Sequence, residues 1–366
     1  MKVKWLLTIM SALLMAACND AAISSVPSNA MSMPTQADSD SHRATSPLLN
    51  CTDWDLAEIT LTWPDENLVL GGRSSVYQHE KRLYTTNTTG FVGWVDLDDL
   101  KTDYAEVPEE YGHVHRLTSQ GIIFQNARDY TAALLDYNLQ PIKSISCNTL
   151  KRIRADLFDW IVLPDLDGVM YFVGSEYDGM GNIMKPSEIQ VCWCTQDCLE
   201  ETILMDTLLP YPYDEVFYFP KRISEHEGVY HYALMAYDTK IGQEKELYVS
   251  SSDDFIIHQN NILFLEGYYK MDQHEMVLFE EPMDSITYQV GQDGTIFYFK
   301  TDGLNAALCT YTPASGEKVE TNFKVMRSDV FLPGPAIVTS LSDGRLIVAV
   351  PTSKTEQVYY ALSRKT

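Results

Sequence analysis

The chain has 366 residues, of which 45% are hydrophobic and 11% aromatic, which supports a sizeable core and argues against wholesale disorder. Acidic residues number 51 and basic residues 27, so the formal net charge is −24. Nucleic acid is therefore excluded as a general partner, because phosphate binding needs clustered Lys and Arg. The 22 tyrosines favour strands over helices and indicate a β-rich globular protein.

The first 18 residues contain the parts of an export signal in order. Lys2 and Lys4 give a positive start, and the apolar run 5–15 is too short for a stable membrane span. The run ends in Leu14-Met15-Ala16-Ala17-Cys18. This arrangement resembles the bacterial lipoprotein signal, whose lipobox places an apolar residue and two small residues before an invariant Cys. Met15 is a mild departure from the more usual Leu.

The resemblance implies that residues 1–17 are a signal peptide removed by cleavage and that the Cys18 thiol and its new amino group are acylated. The anchored protein is then expected in the bacterial cell envelope, on the inner or outer membrane, with its folded domain in the periplasm or at the cell surface. Residues 19–50 are rich in Ser, Ala, Pro, Thr and Asp and poor in large apolar residues. We therefore predict a lipidated flexible tether over 18–50 and a folded domain over 51–366.

After the tether, a short pattern recurs, consisting of a polar turn, an apolar run, a variable gap and a second apolar run. The copies start at Lys81, Gly121, Gly168, Gly228, Asn261, Gly294 and Gly344. Four starts carry Asp-Gly or Glu-Gly, which supply the positive φ angles of tight turns. The starts are about 44 residues apart on average, the length of a four-stranded propeller blade.

The repeat predicts an all-β fold, a β-propeller of six or seven blades, with seven favoured. Six stays open because two of the intervals, starting at Gly228 and at Asn261, are tight for four strands. The strand predicted at 59–63 should complete the last unit and close the ring, which removes exposed sheet edges. A short helix is predicted only at 148–159.

Seven cysteines are present, and six remain once Cys18 is assigned to lipid. Export permits disulfides. Cys192 and Cys194 would share one face of a strand, and the next three residues could turn the chain so that Cys198 meets one of them. We predict a local disulfide within this cluster, with the pairing left open, and a buried thiol at Cys309. No CxxC pair or nearby His completes a metal site.

Sequence motifs assign no catalytic residue, no metal ligand and no cofactor. His113 and His115 would face one side of a strand, but no third ligand is marked. The acidic run at 96–99 fails the EF-hand pattern, because Lys101 and Val107 stand where Gly and Glu belong, so a solvated turn is predicted. Phosphate loops, the hydrolase elbow and the sialidase and quinoprotein blade signatures are also missing from the sequence.

A Pro- and aromatic-rich segment at 208–220 is the candidate binding loop, with Tyr211, Tyr213 and Phe217 as its contact residues. The alternative is a buried connection between blades. The sequence favours a membrane-anchored, non-catalytic platform for another envelope protein or an extracellular ligand. The second hypothesis is an anchored hydrolase or lyase acting on polysaccharide or peptide, with acids and bases converging at one mouth of the channel.

Overall fold

The computed structural model describes the chain from residue 48 to residue 365 with gaps. The described ranges are 48–49, 53–64, 68–70, 75–86, 90–111, 113–126, 129–146, 157–162, 168–173, 176–177, 183–185, 188–193, 201–205, 211–213, 216–226, 229–238, 241–250, 255–302, 305–326, 334–353 and 356–365. All of them belong to the compact unit Ser46–Thr366. No helix among them is long and apolar enough to cross a membrane.

The described chain is built almost entirely from antiparallel strands in sequence order. The first two strands, β1 (Leu48–Leu49) and β2 (Trp54–Ile59), join sheets that form much later. Sheet 1 contains β3 (Ser75–His79), β4 (Arg82–Thr86), β5 (Phe91–Asp96) and β6 (Thr102–Glu106). After a short 3-10 helix (Glu109–Tyr111), sheet 2 contains β7 (His113–Thr118), β8 (Gly121–Asn126), β9 (Thr131–Leu135) and β10 (Pro141–Ser146).

The next two sheets are the most extended in sequence. Sheet 3 contains β11 (Leu157–Val162), β12 (Gly168–Val173), β15 (Glu188–Trp193) and β16 (Glu201–Met205), with the separate hairpin β13 (Glu176–Tyr177) and β14 (Ile183–Lys185) inserted between its second and third strands. Sheet 4 contains β17 (Tyr211–Tyr213), β18 (Val216–His226), β19 (Val229–Asp238) and β20 (Gln243–Ser250).

Three further sheets complete the domain. Sheet 5 contains β21 (Ile256–His258), β22 (Asn261–Phe264), β23 (Gly267–Lys270) and β24 (Glu275–Leu278). Sheet 6 contains β25 (Gln289–Val290), β26 (Ile296–Asp302), β27 (Asn305–Thr312) and β28 (Glu317–Met326), with β1 paired to β28 as a fifth strand. Sheet 7 contains β29 (Ala336–Ser340), β30 (Leu346–Pro351) and β31 (Gln357–Arg364), with β2 as its fourth strand.

Packing between consecutive sheets forms the core. Buried clusters join sheet 1 to sheet 2, sheet 4 to sheet 5, sheet 5 to sheet 6, sheet 6 to sheet 7 and sheet 7 back to sheet 1. First strands of neighbouring sheets contact each other, β3 with β7 and β25 with β29, whereas β10 is almost wholly exposed. The first strand of each sheet therefore lies nearest the axis.

The predicted all-β propeller is confirmed. Six of the described sheets have the regular four strands of a blade, one fewer than the favoured count of seven. Sheet 6 departs from that pattern because Leu48 and Leu49 pair with Val325 and Lys324 and extend it to five strands.

The first strand closes the ring as predicted, but from a different stretch of chain. Residues 54–59, and not 59–63, pair with β31, so that Trp54 lies opposite Arg364 and Ile59 opposite Tyr359. Trp54 and Ile59, each 2% exposed, point into the clusters on either side of sheet 7. The predicted helix at 148–159 is wrong for its described end, because Leu157–Val162 is a strand paired with β12.

Candidate functional site

A polar cavity of about 620 Å³ opens where turns of four sheets meet at one end of the ring. The cavity walls belong to sheets 1, 5, 6 and 7 and consist mainly of the turns that join their first and second strands. Its lining residues are Tyr77, Gln78, Glu80, Gln259, Asn260, Asn261, Lys270, Asp272, Gln273, Val290, Gly291, Gln292, Gly294, Ser340 and Ser342. Amide and hydroxyl side chains dominate this surface, which distinguishes it from the apolar lining of most small-molecule pockets.

Tight turns place these side chains at the cavity. Glu80 and Gln259 each have a left-handed backbone, with φ of 50° and 52°, at the first position of a two-residue turn. Gly294 and Gly344 take φ of 80° and 84° in the longer turns of sheets 6 and 7, which is the role that the Asp-Gly pairs predict. The turns are short, and this limits how far the lining residues can move.

One reciprocal side-chain contact joins the first and last sheets at the cavity wall. The Gln78 amide nitrogen donates to Ser342 Oγ at 2.7 Å, and the Ser342 backbone N–H donates to Gln78 Oε1 at 2.8 Å. These two residues are far apart in sequence, and the contact exists because the ring closes. It holds the turn of sheet 7 against β3.

Further hydrogen bonds join sheet 7 to sheets 5 and 6. Gln259 Nε2 donates to Thr339 Oγ1 at 2.7 Å, and Ser340 Oγ donates to the Val290 carbonyl at 2.7 Å. Thr339 is fully buried and Ser340 is nearly so, which shields both bonds from water. The cavity floor is thus a bonded layer and is expected to keep its shape without a ligand.

The one lysine of the cavity lining is paired with a carboxylate. Lys270 Nζ lies 2.8 Å from Glu275 Oε2, and this hydrogen bond raises the pKa of Lys270. Lys270 also donates to Gln273 Oε1 at 3.4 Å. The lining carboxylates, Glu80 and Asp272, are both exposed. The lining therefore offers no uncompensated cation for a phosphate or carboxylate ligand.

Three lining amides have no hydrogen-bond partner within the described part of the chain: Asn260, Asn261 and Gln292. Each amide offers two N–H donors and one carbonyl acceptor. Asn260 and Asn261 lie on the turn and first residue of β22, and Gln292 lies on the neighbouring turn of sheet 6. Together they make a surface that both donates and accepts hydrogen bonds.

An aromatic group borders this polar surface. The Tyr77 ring is parallel to that of Tyr137, with centroids 6.0 Å apart, and His79 stacks on Tyr137 at 4.3 Å. Tyr137 Oη donates to the Thr118 carbonyl at 2.7 Å, which fixes its ring. Burial raises the pKa of Tyr77, with a smaller contribution from Tyr211. Tyr77 is therefore a neutral, held ring at the cavity edge.

The residues predicted as the binding loop lie elsewhere, in strands of sheet 4. Tyr211 and Tyr213 are in β17, half-buried against the cluster between sheets 4 and 5. Phe217 is in β18 and only 1% exposed. The structure thus places these three residues in strands, and their binding role stays a prediction.

The cysteine predictions fall mostly outside the described residues. Cys18, Cys194 and Cys198 lie there, and Cys192 is in β15, where it pairs with Val169 and Glu201. The local disulfide therefore stays a prediction. Cys309 is fully buried, and its Sγ donates to the Ala307 carbonyl at 3.6 Å, as expected for a packing thiol.

The residues considered as metal ligands lie in a strand and in a turn. His113 and His115 lie on the first strand of sheet 2. The acidic run is a turn in which Asp96 Oδ1 accepts from the Asp98 N–H and Lys101 pairs with Asp99, as the solvated-turn interpretation predicts. Within the described ranges, no group of three or more His, Cys, Asp or Glu side chains is placed to hold a metal ion.

Sequence reasoning missed the cavity residues altogether. Gln78 lies in β3, whereas Asn260, Gln292 and Ser342 lie in three separate turns, and no pairwise motif connects the four residues. The one available signal was the run Gln259-Asn260-Asn261 directly before an apolar strand. This run has more amide side chains than a two-residue turn requires.

Comparisons with known proteins add no family. No protein-family model matches the sequence, and no curated protein matches it. The crystal structure of the computationally designed Ika8 protein aligns with a TM-score of 0.42 and 8% identity, covering 80% of this chain and 98% of that chain. The Myceliophteria thermophila Cps50 (Swd1) beta-propeller domain aligns with a TM-score of 0.44 and 9% identity, covering 81% and 98%. The fold assignment rests on the sheets described above.

Proposed function

We propose that this protein is a lipid-anchored lipoprotein of the bacterial envelope whose propeller is a non-catalytic binding platform. The lipobox ending at Cys18 supports the anchor. The proposed tether, which begins at Cys18 and ends before β1, would let the domain reach a ligand or another envelope protein beyond the membrane surface. We also count the five-stranded sheet 6 as a blade, which makes seven.

The observation that carries the binding role is the cavity with its bonded floor and unpartnered amides. Preorganised polar groups lower the entropy lost when a ligand binds. The volume of about 620 Å³ falls within the range of small-molecule sites. Four sheets contribute to one surface, so a ligand there would contact turns that only the closed ring brings together.

The lining favours binding over catalysis. Its two carboxylates, Glu80 and Asp272, are exposed to solvent, whereas a catalytic acid is usually desolvated by its surroundings. Its one lysine is paired with a carboxylate. The residue types that remain, amides and hydroxyls, recognise ligands by hydrogen bonds.

The anchor is tested by mass spectrometry of the protein purified from bacterial membranes, with Cys18→Ser as the matched control. We expect an N-terminal peptide that begins at an acylated Cys18 and a protein that stays with the membrane fraction at high salt. The Cys18→Ser protein should lose the acyl mass and leave the membrane fraction. An unmodified Cys18 in the mature protein would refute the anchored part of the proposal.

The platform role is tested separately on the full-length protein, by crosslinking in intact cells with a photoreactive residue placed at Gln292. We expect a discrete adduct that is lost when the reactive residue is moved to the exposed Asn305, at the opposite end of sheet 6. Equal labelling at both positions would mean that the cavity is not a recognition surface.

A further inference from the structure

We infer that the cavity binds a neutral oligosaccharide, recognised by the amides of Asn260, Asn261 and Gln292 and by the ring of Tyr77. This inference rests on the proposed binding role and specifies its ligand class. Each step follows from the charge, the hydrogen-bonding capacity and the shape of the described lining.

Charge excludes anionic ligands. The chain carries a formal charge of −24, and the one lysine of the lining is held by Glu275 at 2.8 Å. Glu80 and Asp272 add negative charge at the cavity. A sulfated or phosphorylated ligand would meet repulsion and find no free cation, whereas a neutral ligand meets neither penalty.

Hydrogen-bonding capacity favours a polyhydroxylated ligand. A sugar hydroxyl donates one hydrogen bond and accepts others, and a carboxamide side chain does both through separate atoms. Asn260, Asn261 and Gln292 lie on adjacent turns and are unpartnered within the described ranges. Gln78, Gln259 and Gln273 are already engaged with Ser342, Thr339 and Lys270, so they shape the cavity and leave recognition to the other three amides.

The Tyr77 ring supplies the apolar component of such a site. A sugar ring has a C–H face that packs on the electron-rich face of an aromatic ring. Tyr77 lines the cavity, and its parallel packing against Tyr137 holds it in place. An aromatic ring beside several amides therefore matches the two surfaces of a pyranose, its C–H face and its hydroxyl edge.

A peptide fits this surface less well. Extended peptides commonly add a strand to an open sheet edge, which satisfies their backbone groups in a ladder. The cavity is lined mainly by turn tips and strand ends, and no first strand contributes more than two residues to its lining, so it presents no continuous strand edge. Peptide binding is thus the competing outcome that the experiment must separate from saccharide binding.

The experiment measures binding of maltopentaose, cellopentaose and laminaripentaose to the folded domain by saturation-transfer NMR and calorimetry. A neutral pentapeptide and a sulfated oligosaccharide serve as competitors. We expect at least one neutral pentasaccharide to bind and the sulfated one to bind more weakly. Asn260→Ala and Gln292→Ala should each weaken binding by about 3- to 10-fold, and the double variant by roughly 10- to 100-fold.

Controls separate recognition from folding. Asn260 and Gln292 lie in turns, so their alanine variants should melt at the wild-type temperature. Asn305→Ala changes an exposed amide at the opposite end of sheet 6 and should leave binding unchanged. Saccharide binding that is unchanged in the double variant would overturn the inference. Binding of the pentapeptide without binding of any saccharide would also overturn the inference. If the double variant weakened that peptide binding, the platform proposal would stand. Failure of all probes to bind would overturn this inference, and the crosslinking at Gln292 would decide the platform proposal independently.

Discussion

Ring closure through β2 makes a quantitative prediction for Trp54→Ala. Trp54 is 2% exposed, packs in the cluster between sheets 6 and 7, and carries the Arg364 guanidinium 5.5 Å from its ring centre. A buried aromatic side chain covers about 150–250 Å², which at about 25 cal/mol per Å² corresponds to about 4–6 kcal/mol. Truncations of this kind measure about 3–5 kcal/mol, and loss of the cation–π contact adds about 0.5–1 kcal/mol at an exposed site.

We therefore expect Trp54→Ala to lower the free energy of unfolding by about 4 kcal/mol and, for a domain of roughly 300 residues, the melting temperature by about 6 °C. Far-UV circular dichroism follows the melt without depending on the lost indole. Glu58→Ala is the matched control, because Glu58 is exposed on the same strand and keeps the pairing with Tyr360. A Trp54→Ala loss below about 0.5 kcal/mol, the usual range of surface substitutions, would show that β2 does not close the ring.

Two further predictions concern buried polar groups. Tyr288, fully buried, donates from its hydroxyl to the carbonyls of Phe264 and Gly267, so Tyr288→Phe should lower stability by about 1–3 kcal/mol in urea unfolding, and an unchanged midpoint would count against the contact. Burial lowers the pKa of His258 from 6.5 to about 4. On acidification the unfolded chain therefore takes up a proton at this histidine before the folded chain does. Stability is lost as pH falls from 6.5 towards 4, and the loss at pH 5 is on the order of 2 kcal/mol. His258→Asn should remove that part of the pH dependence of the melt, and the exposed His274→Asn should leave it intact.

Several features of the fold follow from the sequence because they depend on local chemistry. In five of the seven units, the paired apolar runs are the second and third strands of a sheet. Those strands are flanked by strands on both sides and covered on both faces, so their sequences are unbroken apolar runs. In β30, for example, Leu346–Val350 are all buried. The positive φ at Gly294 and Gly344 likewise follows from the Asp-Gly pairs.

The outer strands escaped prediction for the opposite reason. β6 and β10 are largely exposed, and their sequences are too polar to signal a strand. In sheets 4 and 5 the recurring pattern aligned with other strand pairs, β19 with β20 and β22 with β24. The closing strand was misplaced by a few residues, because its register is set by pairing with β31 at the far end of the chain.

The sequence by itself determined the strand-forming repeats and the turns, since each depends on neighbouring residues. Only the tertiary structure decided where a ligand could bind. Gln78, Asn260, Gln292 and Ser342 lie up to hundreds of residues apart and carry no common motif, yet ring closure sets them around one cavity. In sequence, their amides and hydroxyls are common polar side chains. Their role depends on which of them hydrogen-bond to each other and which have no partner among the described residues.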